Sequence, residues 1–138
     1  MTVPDPAPLL LPVDDDHDTG GFWQAARQRR LVVRACSGCD RVLHLPRAYC
    51  SACGSWEGHW REVAGRATLH SWTVVDHQVH PAYPVPYTLV LVDLDDAPGT
   101  RLIGSLPGAP ELAAGQAMAV RWEERDGGVV LPQWEPAP

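Results

Sequence analysis

The sequence predicts a mainly β protein in which one N-terminal helix leads into a metal-binding ribbon and then a small five-stranded barrel. Three observations carry this. The chain holds 12 Gly and 14 Pro in 138 residues, about 19% against roughly 12% in average usage, which favours turns and short strands over a helical bundle. All four cysteines fall in two C-x-x-C pairs between Cys36 and Cys53. Beyond Arg61, apolar runs are separated by turn residues at short intervals. The length suits one ordinary domain or two very small modules.

Residues 1–18, MTVPDPAPLLLPVDDDHD, open Pro-rich and end acidic. Termini of this composition rarely order alone. The competing reading is an arm that docks on a partner through Leu9, Leu10 and Leu11. A second unit spans 19–31, where Asp18 or Thr19 serves as N-cap for a helix from Gly20 to Leu31. Phe22, Trp23 and Ala26 share one side of it. Arg27, Arg29 and Arg30 stand in its last turns and complement the dipole. A helix this short is marginal alone and must pack on something. Phe22 and Trp23 are therefore candidates for binding a partner subunit, with packing on the chain's own core as the alternative.

The ribbon spans 32–60. Cys36 and Cys39 form one pair, Cys50 and Cys53 the other. Each spacing sets two thiolates on one side of a tight turn, and Gly38 and Gly54 are expected to supply the positive φ these turns need. Four converging sulfurs suit Zn²⁺ in a structural site, with iron in the same geometry as the rival. A closed four-thiolate site has no open position from which to activate water, so the metal folds the chain rather than acting on a substrate. His44 and His59 lie nearby and read as surface or packing residues.

Residues 61–138 read as β. A first strand enters through Gly65 and runs over 67–76. PYTLVLVDLDD gives a strongly apolar second strand from Tyr87, and TRLIGSL a third. PGAPELAAGQ is a connector with room for one helical turn. MAVRWEERDGGVVLPQWE gives two strands across Asp126-Gly127-Gly128. Five strands with a long connector between the third and fourth match a small closed barrel, and the OB-fold is the candidate.

The chemistry is bounded as tightly as the fold. No stretch approaches the roughly 18 apolar residues of a membrane span, and the N-terminus has no signal-peptide pattern, which leads us to expect a cytoplasmic protein away from membranes. The net charge is -6 and all 11 basic residues are Arg. That composition weighs against a nucleic-acid partner bound through phosphates, although six Trp would give an OB-fold stacking platforms for single strands. No nucleophile elbow, phosphate loop or H-E-x-x-H occurs. The free titratable candidates are His70, His77 and His80 with Asp76, Asp93, Asp95 and Asp96. A stand-alone enzyme using His77 or His80 is the third reading, while Asp95 and Asp96 suit a turn. We expect no active site confined to this chain.

With helix, ribbon and barrel in this order, the sequence resembles the zinc-ribbon plus OB-fold family of acyl-CoA-associated proteins, known as domain of unknown function 35. The resemblance rests on FWQAARQRRLVVRACSGCDRVLHLPRAYCSACGS, then WREVAGRATLHSWTVVDH, PYTLVLVDLDD and GQAMAVRWEE, and covers about residues 21–135. The Phe22-Trp23 helix, Leu45-Pro46-Arg47 and Gly65 make it more specific than the cysteine knuckles alone. It implies a rubredoxin-like ribbon holding structural Zn²⁺ on Cys36, Cys39, Cys50 and Cys53, followed by an OB-fold. Family members accompany thiolase-like proteins, including lipid-transfer-protein-type aldolases, and some accompany acyl-CoA hydratases. The implied function is a non-catalytic subunit of an acyl-CoA aldolase or thiolase, in lipid or steroid side-chain degradation, that stabilises its partner and helps bind the CoA thioester. A single-stranded nucleic-acid binder is the alternative. No family motif fixes the CoA contacts; Arg66 and Arg101 are the barrel arginines chosen for its phosphates.

Overall fold

The computed structural model describes residues 10–138. Leu9 of the suggested docking arm lies outside them. Leu10 and Leu11 are exposed, and the Leu10 main chain exchanges hydrogen bonds with the Tyr83 hydroxyl.

Helix α1 (Gly20–Arg27) is four residues shorter at its C-terminus than expected. Its end is a Schellman turn: Arg29 adopts φ 55°, its N–H donates to the Ala26 carbonyl, and that of Arg30 donates to Ala25. Arginine stands where glycine is usual, so the stop carried no sequence signal. At the other end Thr19 is the N-cap residue but caps nothing with its side chain. The first-turn N–H groups of Gly20 and Phe22 donate to the Asp16 and Thr19 carbonyls, while the Asp16 side chain orders the turn before the helix, accepting from the N–H groups of Asp18 and Thr19 and from the Thr19 hydroxyl. The Thr19 hydroxyl bond is the largest of the effects that hold the Asp16 carboxyl below its ordinary range.

Leu31 therefore begins a strand, not a helical turn. β1 (Leu31–Cys36) pairs antiparallel with β2 (Gly58–Val63), with Leu31 opposite Val63 and Cys36 opposite Gly58. This two-stranded sheet was not anticipated and carries the ribbon across residue 60. The helix is seated on it through Gly21, where an added Cβ would lie 2.1 Å from Trp60 Nε1. Ion pairs from Arg27 to Asp14, Arg29 to Glu124 and Arg30 to Glu62 tie the helix to the leader, the second sheet and the ribbon. Gly→Ala in a helix ordinarily stabilises by about 1 kcal/mol. Gly21→Ala is expected to reverse that sign and cost about 1–3 kcal/mol by overpacking against Trp60. A urea midpoint at or above the unsubstituted protein's would show that the helix does not seat there.

The second sheet comprises β3 (Arg66–Val75), β4 (Tyr87–Leu94), β5 (Arg101–Pro107), β6 (Ala117–Glu124) and β7 (Val130–Pro136), ordered β5-β4-β3-β6-β7. Gly65, at φ 71°, precedes it as the entry residue. All five strands expected from the sequence are present. The connector over 108–116 forms no helical turn; Gly115 donates to the Leu69 carbonyl and Gln116 to that of Ala113.

One face of this sheet is the main core, with Leu69, Val90, Val92, Met118 and Trp134 at its centre. The expected closed barrel is modified at its seam. Among the described residues no main-chain ladder joins the edge strands β5 and β7. One side chain bridges them, Ser105 N–H donating to Gln133 Oε1 at 2.7 Å, and Arg121 of β6 reaches past β7 to donate to the Ser105 carbonyl at 3.1 Å. The Ser105 N–H and carbonyl are thereby satisfied without a fifth ladder to close the sheet.

Candidate metal centre and apolar cleft

The ribbon brings the four cysteine sulfurs within 4.8 Å of one another. Cys36 and Cys53 Sγ lie 3.5 Å apart, Cys39 and Cys50 Sγ 3.7 Å apart. A tetrahedron with Zn–S of ~2.3 Å has edges of about 3.8 Å, so the donor set fits a tetrahedral ion without rearrangement. Both knuckles are built alike. Asp40 N–H donates to the Cys36 carbonyl and Gly54 N–H to that of Cys50. The positive φ falls on the residue after each second cysteine, at 61° for Asp40 and 78° for Gly54. Gly38 does not supply it, contrary to expectation; its place is a close approach, since a Cβ there would meet Cys53 Sγ at 3.2 Å.

Thiol packing polarises the set. The Cys53 and Ala52 N–H groups, with the Cys39 and Cys36 thiols, outweigh burial and hold the Cys50 thiol down at about 6. The Ser55 N–H favours a thiolate at Cys53, but the Cys36 thiol, burial and the other two thiols push it up to about 12. Four thiolates cannot coexist so closely without a cation between them, and a bound divalent metal supplies that charge. His59 stays outside the donor set, bonded to Ser37 Oγ at 3.0 Å.

A second feature joins all three parts of the chain. Strand β4 alternates strictly, with Thr88, Val90 and Val92 buried and Tyr87, Leu89 and Leu91 half-buried on the opposite face. A barrel's outer face is normally polar, but here Leu89 and Leu91, with Ile103 on β5 and Leu131 on β7, floor an apolar cleft of about 570 Å³. Trp23 and Phe22 of α1 and the ribbon segment Leu45-Pro46 form its walls. Phe22 and Trp23 rings meet edge to face at 5.0 Å. Phe22 also packs against the main core, as the core-packing reading of this residue expected. A second cavity of about 490 Å³, walled by Tyr83, Arg121 and Arg125, shares Leu89, Ser105, Leu131 and Gln133 with the first, so one groove crosses β4, β5 and β7.

Few charges touch the cleft. Arg101 lines it, with its Nε donating to Asp93 Oδ1 at 2.8 Å, while His70 Nδ1 lies 2.9 Å from Asp93 Oδ2. The Arg101 hydrogen bond, then its charge and His70, outweigh burial and keep the Asp93 carboxyl below its usual range. His44 lines the cleft half-buried. Burial lowers its pKa against a main-chain hydrogen bond to Arg101, so the ring is neutral at neutral pH. Arg66 lies exposed at the start of β3 and lines neither cavity, so Arg66 and Arg101 do not form one site. The remaining sequence candidates are scattered. Asp96 accepts from the Ala64 N–H, Asp95 from the Thr68 hydroxyl, and His80 accepts from Ala82 N–H and meets the Tyr83 ring at a tilt of 55°.

The comparisons with known proteins agree with this geometry. Family models described as the ChsH2 rubredoxin-like zinc ribbon domain and the ChsH2 C-terminal OB-fold domain match residues 23–57 and 60–123. A solved structure titled Ltp2-ChsH2(DUF35) aldolase superposes with TM-score 0.82 at 34% identity, covering 91% of this chain and 98% of that one. The chain belongs to the ChsH2 family. A DUF35-family protein of unknown function from Sulfolobus solfataricus shares the fold at 16% identity, TM-score 0.55 and 77% coverage of both chains. A probable enoyl-CoA hydratase alpha subunit from Thermomonospora curvata is 37% identical over 124 residues. The match takes in 88% of this ChsH2-family chain but spans only 38% of that relative's length. Among the described residues no helix is long and apolar enough to cross a membrane.

Proposed function

We propose that this chain is a non-catalytic accessory subunit of an acyl-CoA enzyme of the thiolase-like, carbon–carbon bond type, which stabilises its partner and helps hold the CoA thioester. The observation that carries this reading is the apolar cleft, where a face that water should solvate is instead built of Leu89, Leu91 and Ile103 and walled by two other parts of the fold. The aldolase named for the superposed structure supports a thiolase-like partner. Trp23 is the aromatic anchor expected at the centre of such an interface. Arg101, held by Asp93 at the cleft, is the cation we assign to an anionic part of the thioester. A metal on Cys36, Cys39, Cys50 and Cys53 would hold the ribbon loop that carries Leu45 and Pro46, supplying structure only.

The hydratase alpha subunit supports a second reading, in which the partner is an acyl-CoA hydratase rather than a thiolase-like protein. The nucleic-acid alternative has less support. Arg27, Arg29, Arg30, Arg61, Arg101 and Arg125 face carboxylates, and the groove floor is aliphatic rather than basic.

Native purification through a C-terminal tag tests the proposal. A stoichiometric thiolase-like or hydratase subunit is expected to co-purify, its identity separating the two readings. Ile103→Glu, at a site 64% exposed, is expected to weaken that association at least about tenfold, or 1.4 kcal/mol, by burying an unpaired charge. Copurification unaffected by this substitution, or a chain that brings down no acyl-CoA enzyme, overturns the proposal.

A further inference from the structure

The accessory-subunit reading uses the first cleft and leaves the second cavity without a role. That cavity, of about 490 Å³, is lined by Tyr83, Pro84, Pro86 and Tyr87 together with Arg121, Glu123 and Arg125. Its charges do not balance. Glu123 is engaged at both oxygens, with Oε1 2.9 Å from Arg125 Nη2 and Oε2 accepting from Gln133 Nε2 at 2.7 Å. Arg121 spends Nη2 on the Ser105 carbonyl and forms no ion pair among the described residues. One half-buried guanidinium is thus left over beside tyrosine and proline walls, a setting that favours an anion. The described leader brings the chain to this point. Thr19 lines the first cleft, Asp14 pairs with Arg27, and Leu10 N–H donates to the Tyr83 hydroxyl at 3.0 Å, which in turn donates to the Leu10 carbonyl at 3.3 Å. Leu10 therefore stands at a wall of the second cavity, and residues 1–9, MTVPDPAPL, precede it in the chain.

We propose that the chain's own residues 1–9 seat in the second cavity, with Pro4, Pro6 and Pro8 against Tyr83 and Tyr87 and the Asp5 carboxylate on Arg121. Three observations select this occupant. The first is position, since Leu10 is bonded to Tyr83 and the nine residues start from the cavity wall. The second is composition. Prolines at every second position favour an extended segment with no internal hydrogen bonds, and grooves lined by aromatic side chains bind such segments at little entropic cost. The third is charge. Asp5 is the one charged side chain of residues 1–9, and it matches the one cation left over in the cavity. Five residues at about 3.1 Å each carry Asp5 up to roughly 15 Å from Leu10, a reach that crosses a cavity of this size. The proposal does not rest on the accessory-subunit reading, because Trp23, His44 and Ile103 line only the first cleft.

Nuclear magnetic resonance on the full, metal-loaded chain tests this. Nuclear Overhauser contacts are expected between the protons of Pro4, Pro6 and Pro8 and the rings of Tyr83 and Tyr87. Asp5→Lys sets like charges together and is expected to weaken those contacts at least about threefold, and to shift the Ser105 and Gln133 amide resonances. Arg121→Gln is expected to do the same. Arg66→Gln, at an arginine that lines neither cavity, is expected to leave them unchanged. Asp5→Lys changes no residue of the cavity itself, and metal content and circular dichroism report that each variant is folded. Absence of the proline–tyrosine contacts overturns the proposal, as it would if the leader seats only on a partner protein. So do contacts that Asp5→Lys leaves at full strength, or contacts of the prolines with Leu91 and Ile103 of the first cleft instead.

Discussion

Cys39→Ser is expected to empty the metal site and unfold the ribbon. The reason lies in what else holds the knuckle segment, residues 36–53, together, since Leu31, Val33 and Val63 of the ribbon strands belong to the main core. The ribbon's own buried cluster is Cys36, Leu43 and Cys50, so two of its three members are metal ligands and one leucine remains. A core of that size cannot offset the entropy of ordering the knuckles. Structural zinc on four cysteines contributes an apparent ~10–16 kcal/mol in small ribbon-like peptides, comparable to the whole stability of an ordinary domain. The binding is pH-dependent with a definite sign. Only thiolates ligate, and the metal-free Cys53 thiol stands at about 12, so protons compete with the metal and affinity falls as pH falls. Elemental analysis is expected to give about one zinc per chain, with near-complete loss in Cys39→Ser. Iron in its place would colour the protein and correct the choice of metal. Full retention of metal by the serine variant would sink the four-sulfur assignment. Helix α1, which sits on Trp60 of β2, is expected to lose its seat in the same variant, whereas the β3–β7 sheet keeps Leu69, Val90, Val92, Met118 and Trp134 of the core it shares with Leu31, Val33 and Val63 of the ribbon strands.

How much of this was legible in the sequence depends on how local each signal is. The paired cysteines announced the metal site because two-residue spacing by itself sets sulfur geometry. The positive φ at Asp40 was missed because aspartate at that position is a rarer solution than the glycine two residues earlier. The helix end at Arg29 escaped for the same reason. β1 was obscured by the cysteine that ends it, and β2 by the aromatic and charged run HWRE. The five later strands were readable from alternation and turns. The cleft was not, since its walls come from residues 22–23 and 45–46 and its floor from β4, β5 and β7. One trace of it was present. YTLVLVDL shows almost no polar alternation, the mark of a strand covered on both faces. Such a run demands a second apolar surface over β4, and the cleft walls supply part of it. Phe22 and Trp23 were singled out in the sequence and both line the cleft, but no spacing rule linked them to Arg101.

Trp134→Ala is expected to cost about 3–5 kcal/mol, the range for removing a large aromatic from a core. Trp134 is the largest fully buried side chain and sits under the one seam of the sheet that lacks a main-chain ladder. Its Cδ1 would lie 2.7 Å from a Cβ at Gly104 on β5, so the indole fills the space where the edges of β5 and β7 meet. Closure at this seam therefore depends on packing and on the Gln133 bridge rather than on a row of backbone bonds. The indole itself is imperfectly satisfied: its Nε1–H is buried without a partner. An unpaired buried donor costs about 1–3 kcal/mol, so Trp134→Phe removes that penalty while giving up part of the volume. The phenylalanine variant is expected to retain most of the stability the alanine variant loses. Urea unfolding followed by circular dichroism, with metal content held constant, separates the cases. Equal losses in the two variants would mean that the indole nitrogen has a partner in solution. A loss no larger than that of the exposed Trp72→Ala would mean that the seam is held by something other than Trp134.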